Sequence, residues 1–130
     1  MLFNLDKCKI MHFGYNNPNN IFLLGGHILE TVYEEKDLGV MIRKELKASS
    51  QCVKIVKTAN QILGMIKRTF TFKIKTILLK LYKRLVRPHS EYCMQAWNPY
   101  LKNDLDLLEG VRSRASKVIL GYKHYCYKDR

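Results

Sequence analysis

The chain has 130 residues, a length that suits one domain with a modest core, and its 47% hydrophobic and 26% charged content is ordinary for a folded globular protein. Its net charge of +12 is not ordinary and indicates an anionic partner, either a nucleic acid or an anionic membrane surface. No run of about 18 apolar residues occurs, which excludes a membrane-spanning helix, and the first residues lack the basic-then-apolar order of a secretory signal.

Residues 1–48 are predicted to form short strands joined by turns. A double glycine, Gly25-Gly26, supplies the positive φ angles that a two-residue hairpin turn needs. The predicted strands are the alternating segment KCKIMHF, residues 21–24, residues 27–32 and residues 38–42.

A first amphipathic helix is predicted from about residue 51 to residue 70. Ser49 or Ser50 is the expected N-cap, and the TFTF segment is expected to end the helix. Apolar residues recur at spacings of three and four: Cys52, Val56, Ala59, Leu63, Ile66 and Phe70. A second stripe holds Lys54, Lys57, Gln61 and Arg68.

A second amphipathic helix is predicted from residue 73 to residue 87. Pro88 lacks an N–H group, so we expect a kink or a break there. The predicted core stripe holds Ile74, Ile77 or Leu78, Leu81 and Leu85. The polar stripe beside it holds Lys73, Thr76, Lys80, Lys83 and Arg87. If the two apolar stripes pack together, the two basic stripes should point in the same general direction.

The remaining residues predict one short helix and one long one. The short helix covers residues 91–97 and stops at Asn98-Pro99. Asn103 or Asp104 is the expected N-cap of the long helix, and Gly121 is its expected C-terminal cap. Its apolar stripe is Leu105, Leu108, Val111 or Arg112, Ala115, Val118 and Ile119.

These elements predict an α+β protein in which a small antiparallel sheet, residues 1–48, precedes a three-helix bundle, residues 49–121, and a tail, residues 122–130. The charge is uneven across these parts. Residues 1–48 hold six basic and six acidic side chains. Residues 49–102 hold eleven basic and one acidic side chain, and residues 103–130 hold six basic and four acidic side chains. The middle segment therefore carries a net charge of +10, which predicts that the helices bind a polyanion.

No complete active site and no metal site is predicted. Asp104 and Asp106 have a spacing that could suit a metal, but a carboxylate at a helix start is better explained as a cap. Tyr82, Tyr92 and Trp97 suit base stacking, although packing in the core is the simpler explanation. The four cysteines, Cys8, Cys52, Cys93 and Cys126, are widely spaced, which favours free thiols packed in the core and an intracellular, reducing compartment.

Three stretches together resemble the end of the reverse transcriptase domain of non-LTR retrotransposons, especially jockey-like and related LINE elements. FNLDKCKIMHFG is similar to the motif D strand at the end of the palm, and EEKDLGVMI is similar to the primer-grip hairpin. ANQILGMIKRTF, LYKRLVRPHSEYCMQAWNP and LEGVRSRASKVILG together resemble the helical thumb. The resemblance covers nearly the whole chain.

The resemblance implies roles for residues of each part. Lys7 matches the motif D lysine, which helps to position the incoming nucleotide, and Asn4 is its motif partner; Cys8 stands where the family often has Ser or Thr. The residues that match the primer grip are Leu38, Gly39 and Val40. The thumb residues expected to contact the phosphates of a template–primer duplex are Lys54, Lys57, Arg68, Lys80, Lys83 and Arg87.

The family's catalytic aspartates, which hold two Mg²⁺ ions in earlier palm strands, have no counterpart in this sequence. We therefore expect a fragment of an RNA-directed DNA polymerase, cut from a decayed or truncated transposable element, that is inactive alone, needs no cofactor of its own and retains nucleic-acid binding. The fingers and most of the palm of the parent enzyme would be its missing partners. The alternatives are a basic helical module that binds an acidic protein or an anionic surface, and a relic without a function.

Overall fold

A computed structural model describes residues 2–71 and 74–121 and has the predicted α+β class. Strands occupy the first part of the chain and helices the rest, with the first helix beginning at Ser49. The expectations for Lys73 and for the tail, residues 122–130, lie outside the described residues.

The strands form three separate two-stranded ladders, where the sequence predicted one small sheet. β1 (Lys9–Ile10) pairs with β4 (Glu30–Thr31) in parallel, and the other two ladders are antiparallel as predicted. β2 (Leu23–Leu24) and β3 (His27–Ile28) form the hairpin predicted at Gly25-Gly26, whose φ angles are 55° and 80°. The segment predicted as one strand over residues 27–32 is divided because β3 and β4 pair with different partners.

The third ladder is a hairpin of β5 (Glu34–Asp37) and β6 (Val40–Arg43). Leu38 and Gly39 form its two-residue turn, so the prediction that a strand begins at Leu38 was wrong by two residues. Both turn residues have positive φ angles, 45° and 86°, which is the conformation that a tight hairpin turn requires.

Helix α1 (Ser49–Thr69) buries the predicted stripe with two changes. Ile55 and Gln51 are buried with Cys52, whereas Phe70 caps the C-terminus and is 37% exposed. The N-cap residue is Ala48, so the predicted caps Ser49 and Ser50 are wrong. The thiol of Cys52 is fully buried, whereas Cys8 and Cys93 are half-buried free thiols and Cys126 lies outside the described residues.

The second helical segment continues through Pro88. α2 (Lys75–Leu81) runs into a π-helical turn (Tyr82–Val86), and α3 (Arg87–Glu91) follows with Pro88 in its first turn. In the π turn, the N–H of Arg87 bonds to the carbonyl of Tyr82, five residues back. A proline is tolerated in a first turn because its missing N–H is not needed there, so the helix widens instead of breaking.

This π turn changes which side chains are buried. The extra residue in the turn places Val86 in the core, 1% exposed, and leaves Leu85 40% exposed. Leu78 is buried as one of the two predicted alternatives, whereas Ile74 and Ile77 are exposed. The predicted burial of the second helix's stripe is therefore confirmed for Leu78, and Leu81 beside it is half-buried. The residues at both ends of the stripe are exposed, so their predicted burial was wrong.

Two further helices follow in the part of the chain that the structure describes. Cys93, with a left-handed φ of 51°, separates α3 from α4 (Met94–Trp97), so the predicted helix over residues 91–97 is interrupted; it stops at Asn98 as predicted. α5 (Lys102–Leu120) ends at Gly121, whose φ is 72°, which confirms the predicted C-terminal cap. The helix begins at Lys102, two residues before the predicted cap Asp104. Leu105, a member of the predicted apolar stripe, is 48% exposed.

Two buried clusters hold the helices and the last hairpin together. The larger one lies between α1, the second helical segment and α5, which form the predicted three-helix bundle, and consists of Ala59, Leu63, Ile66, Leu78, Val86, Val111 and Ala115. The smaller one joins the β5–β6 hairpin to α1 and α4 and consists of Val40, Cys52, Ile55 and Trp97. Burying a large apolar side chain contributes about 1.5–3 kcal/mol, so these clusters supply most of the driving force for folding.

Candidate nucleic-acid interface

The basic stripe of α1 lies on the side of the helix that faces away from the core. Successive residues of an α-helix are rotated by about 100°, so Lys54, Lys57 and Arg68 fall within an arc of roughly 60°. The same geometry places the buried residues Ile55 and Leu63 roughly half a turn away. Gln61, the uncharged member of the predicted stripe, is exposed on the same side.

Two of these cations also bond to the backbone. The ammonium of Lys54 donates to the carbonyl of Gly39 at 3.2 Å, and Nε of Arg68 donates to the carbonyl of Gly64 at 3.3 Å. Lys57, between them, is exposed. Both bonded groups keep their full positive charge, so the stripe remains cationic along its length.

On the second helical segment, Lys80 and Lys83 are exposed while Leu78 and Val86 face the core. Arg87 forms an ion pair with Glu91, one turn further along the helix. In the part of the chain that the structure describes, Arg87 is the only one of the six predicted phosphate-contacting residues with an ion pair. The structure therefore places the two basic stripes on the outer sides of two packed helices.

A cleft of about 840 Å³ separates the second helical segment from α4 and α5. Lys83 and Arg87 lie on one wall and Arg112 lies on the other, while Trp97 lies beneath them. The sequence left open whether Val111 or Arg112 faces the core; Val111 is 5% exposed, and Arg112 is the exposed residue. Acidic side chains also line the cleft: Glu91, Asp106 and Glu109.

Sequence reasoning missed Arg112 as a candidate, because the cleft is assembled from segments about 25 residues apart in the chain. The available signal was its position beside Val111: a helix turns by about 100° per residue, so a long charged side chain next to a buried apolar one is directed to the edge of the core. Arg112 lies 3.7 Å from Glu109, so part of its charge is offset locally.

The turn that was predicted as a primer grip is fixed to the helical bundle by Tyr92. Its hydroxyl donates to the carbonyl of Leu38 at 2.8 Å, and its ring packs over Gly39. A β-carbon at Gly39 would lie 3.3 Å from this ring, so a side chain there would press on the ring as well as strain the φ angle. Tyr92 itself is 52% exposed, which makes the prediction that it packs in the core wrong; Trp97 is buried as predicted.

Two further bonds join the same hairpin to α1. The Lys54 ammonium bonds to Gly39, and the buried side chain of Gln51 accepts a hydrogen bond from the N–H of Met41 at 3.0 Å. The structure thus brings the predicted grip residues next to the start of the first basic stripe. Val40, the third of the grip residues, is buried in the smaller cluster.

Asn4 is the N-cap of a short 3-10 turn, Leu5–Lys7, which ends at Lys7, so neither residue lies in a strand as the motif D resemblance implied. The side chain of Asn4 accepts a hydrogen bond from the N–H of Asp6 at 3.1 Å, which caps the turn. The Cys8 thiol donates to the carbonyl of Asn4 at 3.3 Å. The motif of an asparagine followed three residues later by a lysine is therefore explained locally by a capped turn.

A buried polar pair joins the starts of α1 and α5. The hydroxyl of Ser49 donates to the carboxylate of Asp104 at 2.8 Å, and Asp104 is 4% exposed. These are two of the residues that the sequence predicted as caps, and they bond to each other across 55 positions. Burial, and secondly the charge of Asp104, raise the pKa of the Cys52 thiol to about 11.

Within residues 2–71 and 74–121, no three His, Cys, Asp or Glu side chains are grouped so as to hold a metal ion. None of the described helices is both long enough and apolar enough to cross a membrane. Comparisons of the chain with protein-family models, with curated proteins and with solved structures gave no match.

Proposed function

We propose that this chain is the end of the palm and the thumb of a non-LTR retrotransposon reverse transcriptase, and that its helical bundle binds a nucleic-acid duplex without sequence preference. One observation carries the proposal. Residues 49–102 account for a charge of +10 out of +12, and their lysines on α1 and on the second helical segment lie on the outer sides of the bundle.

Such a surface suits the phosphate backbone rather than the base edges. Exposed lysines are strongly hydrated point charges on flexible stems, so they neutralise phosphates without reading sequence. If about five phosphates are neutralised, counterion release gives a slope of roughly −4 to −5 in a plot of log K against log salt concentration.

The apolar stripes favour this partner over an anionic membrane. A helix that lies in a membrane surface inserts its apolar face among the lipids. The central apolar residues of both helices, Leu63 and Val86 among them, are instead buried between the helices of the bundle.

Charge reversal at three exposed lysines tests the proposal. The variant Lys57→Glu, Lys80→Glu, Lys83→Glu should lose most of its affinity for a 20-base-pair duplex in a fluorescence anisotropy titration. The matched control reverses three exposed lysines elsewhere, Lys36, Lys47 and Lys117, and so has the same net charge. Equal losses in the two variants, or a salt slope near zero, would refute a localised phosphate-binding surface.

A parallel titration with anionic vesicles at the same salt concentration separates the two partners. Tight vesicle binding with weak duplex binding would favour the module that binds an anionic surface. For polymerisation, we expect no extension of a primer by the purified chain with RNA template, dNTPs and Mg²⁺, because the resemblance assigns the metal-binding aspartates to palm strands that this sequence does not include. Accumulation of product would contradict that expectation.

A further inference from the structure

The β2–β3 hairpin is the one ladder of the described chain that carries no acidic side chain, lysine or arginine on its strands. The other two ladders have such a side chain on every strand, for example Lys9 opposite Glu30 and Glu34 opposite Arg43. Residues 10–29 contain no Asp, Glu, Lys or Arg at all. Charged side chains on edge strands prevent a sheet from pairing with another chain, so this hairpin lacks a common protection.

One face of the hairpin is apolar and open to solvent. Side chains alternate between the two faces of a strand, so Ile21 and Leu23 share a face, and Ile28 joins them because it lies opposite Leu23. These three side chains are 74%, 61% and 65% exposed. The other face is partly covered, since the ring of Phe22 lies 6.1 Å from that of His12.

The outer edge of β2 offers free backbone groups. β2 pairs only with β3, and the N–H of Leu29 bonds to the carbonyl of Phe22 at 3.0 Å, which extends this ladder by one pair. Successive residues of an antiparallel strand direct their backbone groups to opposite sides. Ile21 and Leu23 therefore direct theirs away from β3, and together they present two donors and two acceptors to a further strand.

A second copy of this chain fits the edge better than other partners do. An antiparallel edge complements itself, because a two-fold rotation sets each donor opposite an acceptor. Residues 10–29 hold no lysine or arginine that would attract a nucleic acid or an acidic protein. Two copies with a net charge of +12 repel each other, and the uncharged hairpin is a place where they can approach with little repulsion.

We propose that two copies of this chain pair through the outer edges of β2, about a two-fold axis at Phe22. Ile21 of each copy then exchanges backbone hydrogen bonds with Leu23 of the other, and the two Phe22 rings lie opposite each other across the axis. The two hairpins form one four-stranded antiparallel sheet, which is more stable than an isolated two-stranded hairpin. The interface uses no residue of the helical bundle.

Sedimentation velocity at increasing protein concentration tests the proposal. The average mass should rise from 15.3 kDa towards twice that value. We expect a dissociation constant on the order of 100 µM, since one strand from each copy makes an interface below the standard size. A mass that stays at 15.3 kDa up to about 1 mM would overturn the proposal, whether or not neutral lipid vesicles bind the chain.

Two variants separate edge pairing from packing of the open faces. Leu23→Pro removes an N–H that points away from β3, so the hairpin keeps its own bonds while the dimer should weaken about tenfold or more. Ile28→Lys places a charge on the open face but away from the β2 edge, and should leave the dissociation constant within about twofold. Unchanged dimerisation of Leu23→Pro, or loss of the dimer in Ile28→Lys, would overturn pairing through this edge.

A charge exchange tests the position of the axis. Phe22→Lys and Phe22→Glu should each weaken the dimer about tenfold or more, because like charges then face each other across the axis. An equimolar mixture of the two variants should dimerise again, since lysine faces glutamate, and a mixture that stays monomeric would overturn the axis at Phe22. Lys80→Glu with Lys83→Glu should weaken duplex binding but leave dimerisation unchanged, so the failure of one proposal is visible separately from the failure of the other.

Discussion

Replacing Gly39 by alanine should destabilise the chain by about 2–3 kcal/mol. A left-handed φ, here 86°, costs a residue with a β-carbon about 1–2 kcal/mol. The new β-carbon would also lie 3.3 Å from a ring carbon of Tyr92 and would displace the ring. This weakens the hydrogen bond from Tyr92 to Leu38, and such a bond contributes about 0.5–1.5 kcal/mol.

Gly121→Ala is the matched control, because Gly121 has a φ of 72° and a β-carbon added there would have nothing within 4 Å. It should lose only the conformational part, about 1–2 kcal/mol. Urea unfolding followed by circular dichroism measures both free energies. Equal losses would refute the argument that the Tyr92 ring limits the space at Gly39. In a Tyr92→Phe background, Gly39→Ala should still destabilise the chain more than Gly121→Ala does, but the difference should be smaller by about 0.5–1.5 kcal/mol, the contribution of the hydrogen bond.

Three further predictions concern the helical bundle. Val86→Ala should cost about 2 kcal/mol in urea unfolding and Leu85→Ala under about 1 kcal/mol, whereas the opposite order would contradict the π turn. Ser49→Ala should cost about 1–3 kcal/mol, because it leaves the buried Asp104 carboxylate without its donor; a loss near zero would contradict that bond. The Cys52 thiol should stay protonated in the folded chain up to about pH 11. Because the unfolded thiol ionises near its ordinary pKa of 9.0, the contribution of this thiol to the free energy of unfolding is fully present below about pH 9. It falls by roughly 2–3 kcal/mol by pH 11, and Cys52→Ala should remove this contribution to the pH dependence.

Features that depend on one or two neighbouring residues were predicted correctly from the sequence. The hairpin at Gly25-Gly26 and the end of α5 at Gly121 both follow from the freedom of glycine to adopt positive φ angles. The outward position of Lys57 follows from the helical period alone. These predictions needed no knowledge of what the segments contact.

Features that depend on distant partners were not predicted. Ser49 and Asp104 are good caps by residue type, but each satisfies the other, and both helices begin without a side-chain cap. The parallel pairing of β1 with β4 requires a return of the chain that no local pattern specifies. Of the kink or break expected at Pro88, the break does not occur, because a π turn needs only one extra residue, whereas a break would give up the packing of Val86.

The candidate interface also has one part that the sequence predicted and another that it did not. Periodicity located the two basic stripes, but it could not show that Lys54 reaches across to Gly39 or that Arg112 faces Lys83 across a cleft. Contacts of this kind depend on how the hairpin and the helices pack, which the order of residue types does not encode locally.

Every buried apolar residue of the described chain occurs at Val40 or later, so the two ends of the molecule have unequal resistance to opening. The ladders before β5 are held by a few backbone bonds and little else, and they should exchange their amide protons and be cleaved by protease long before the bundle unfolds. Chymotrypsin can cut after Tyr33, so brief treatment with it should leave a resistant core that starts at Glu34. Its Tyr92 and Gln51 bonds would let the last hairpin survive as part of the helical unit.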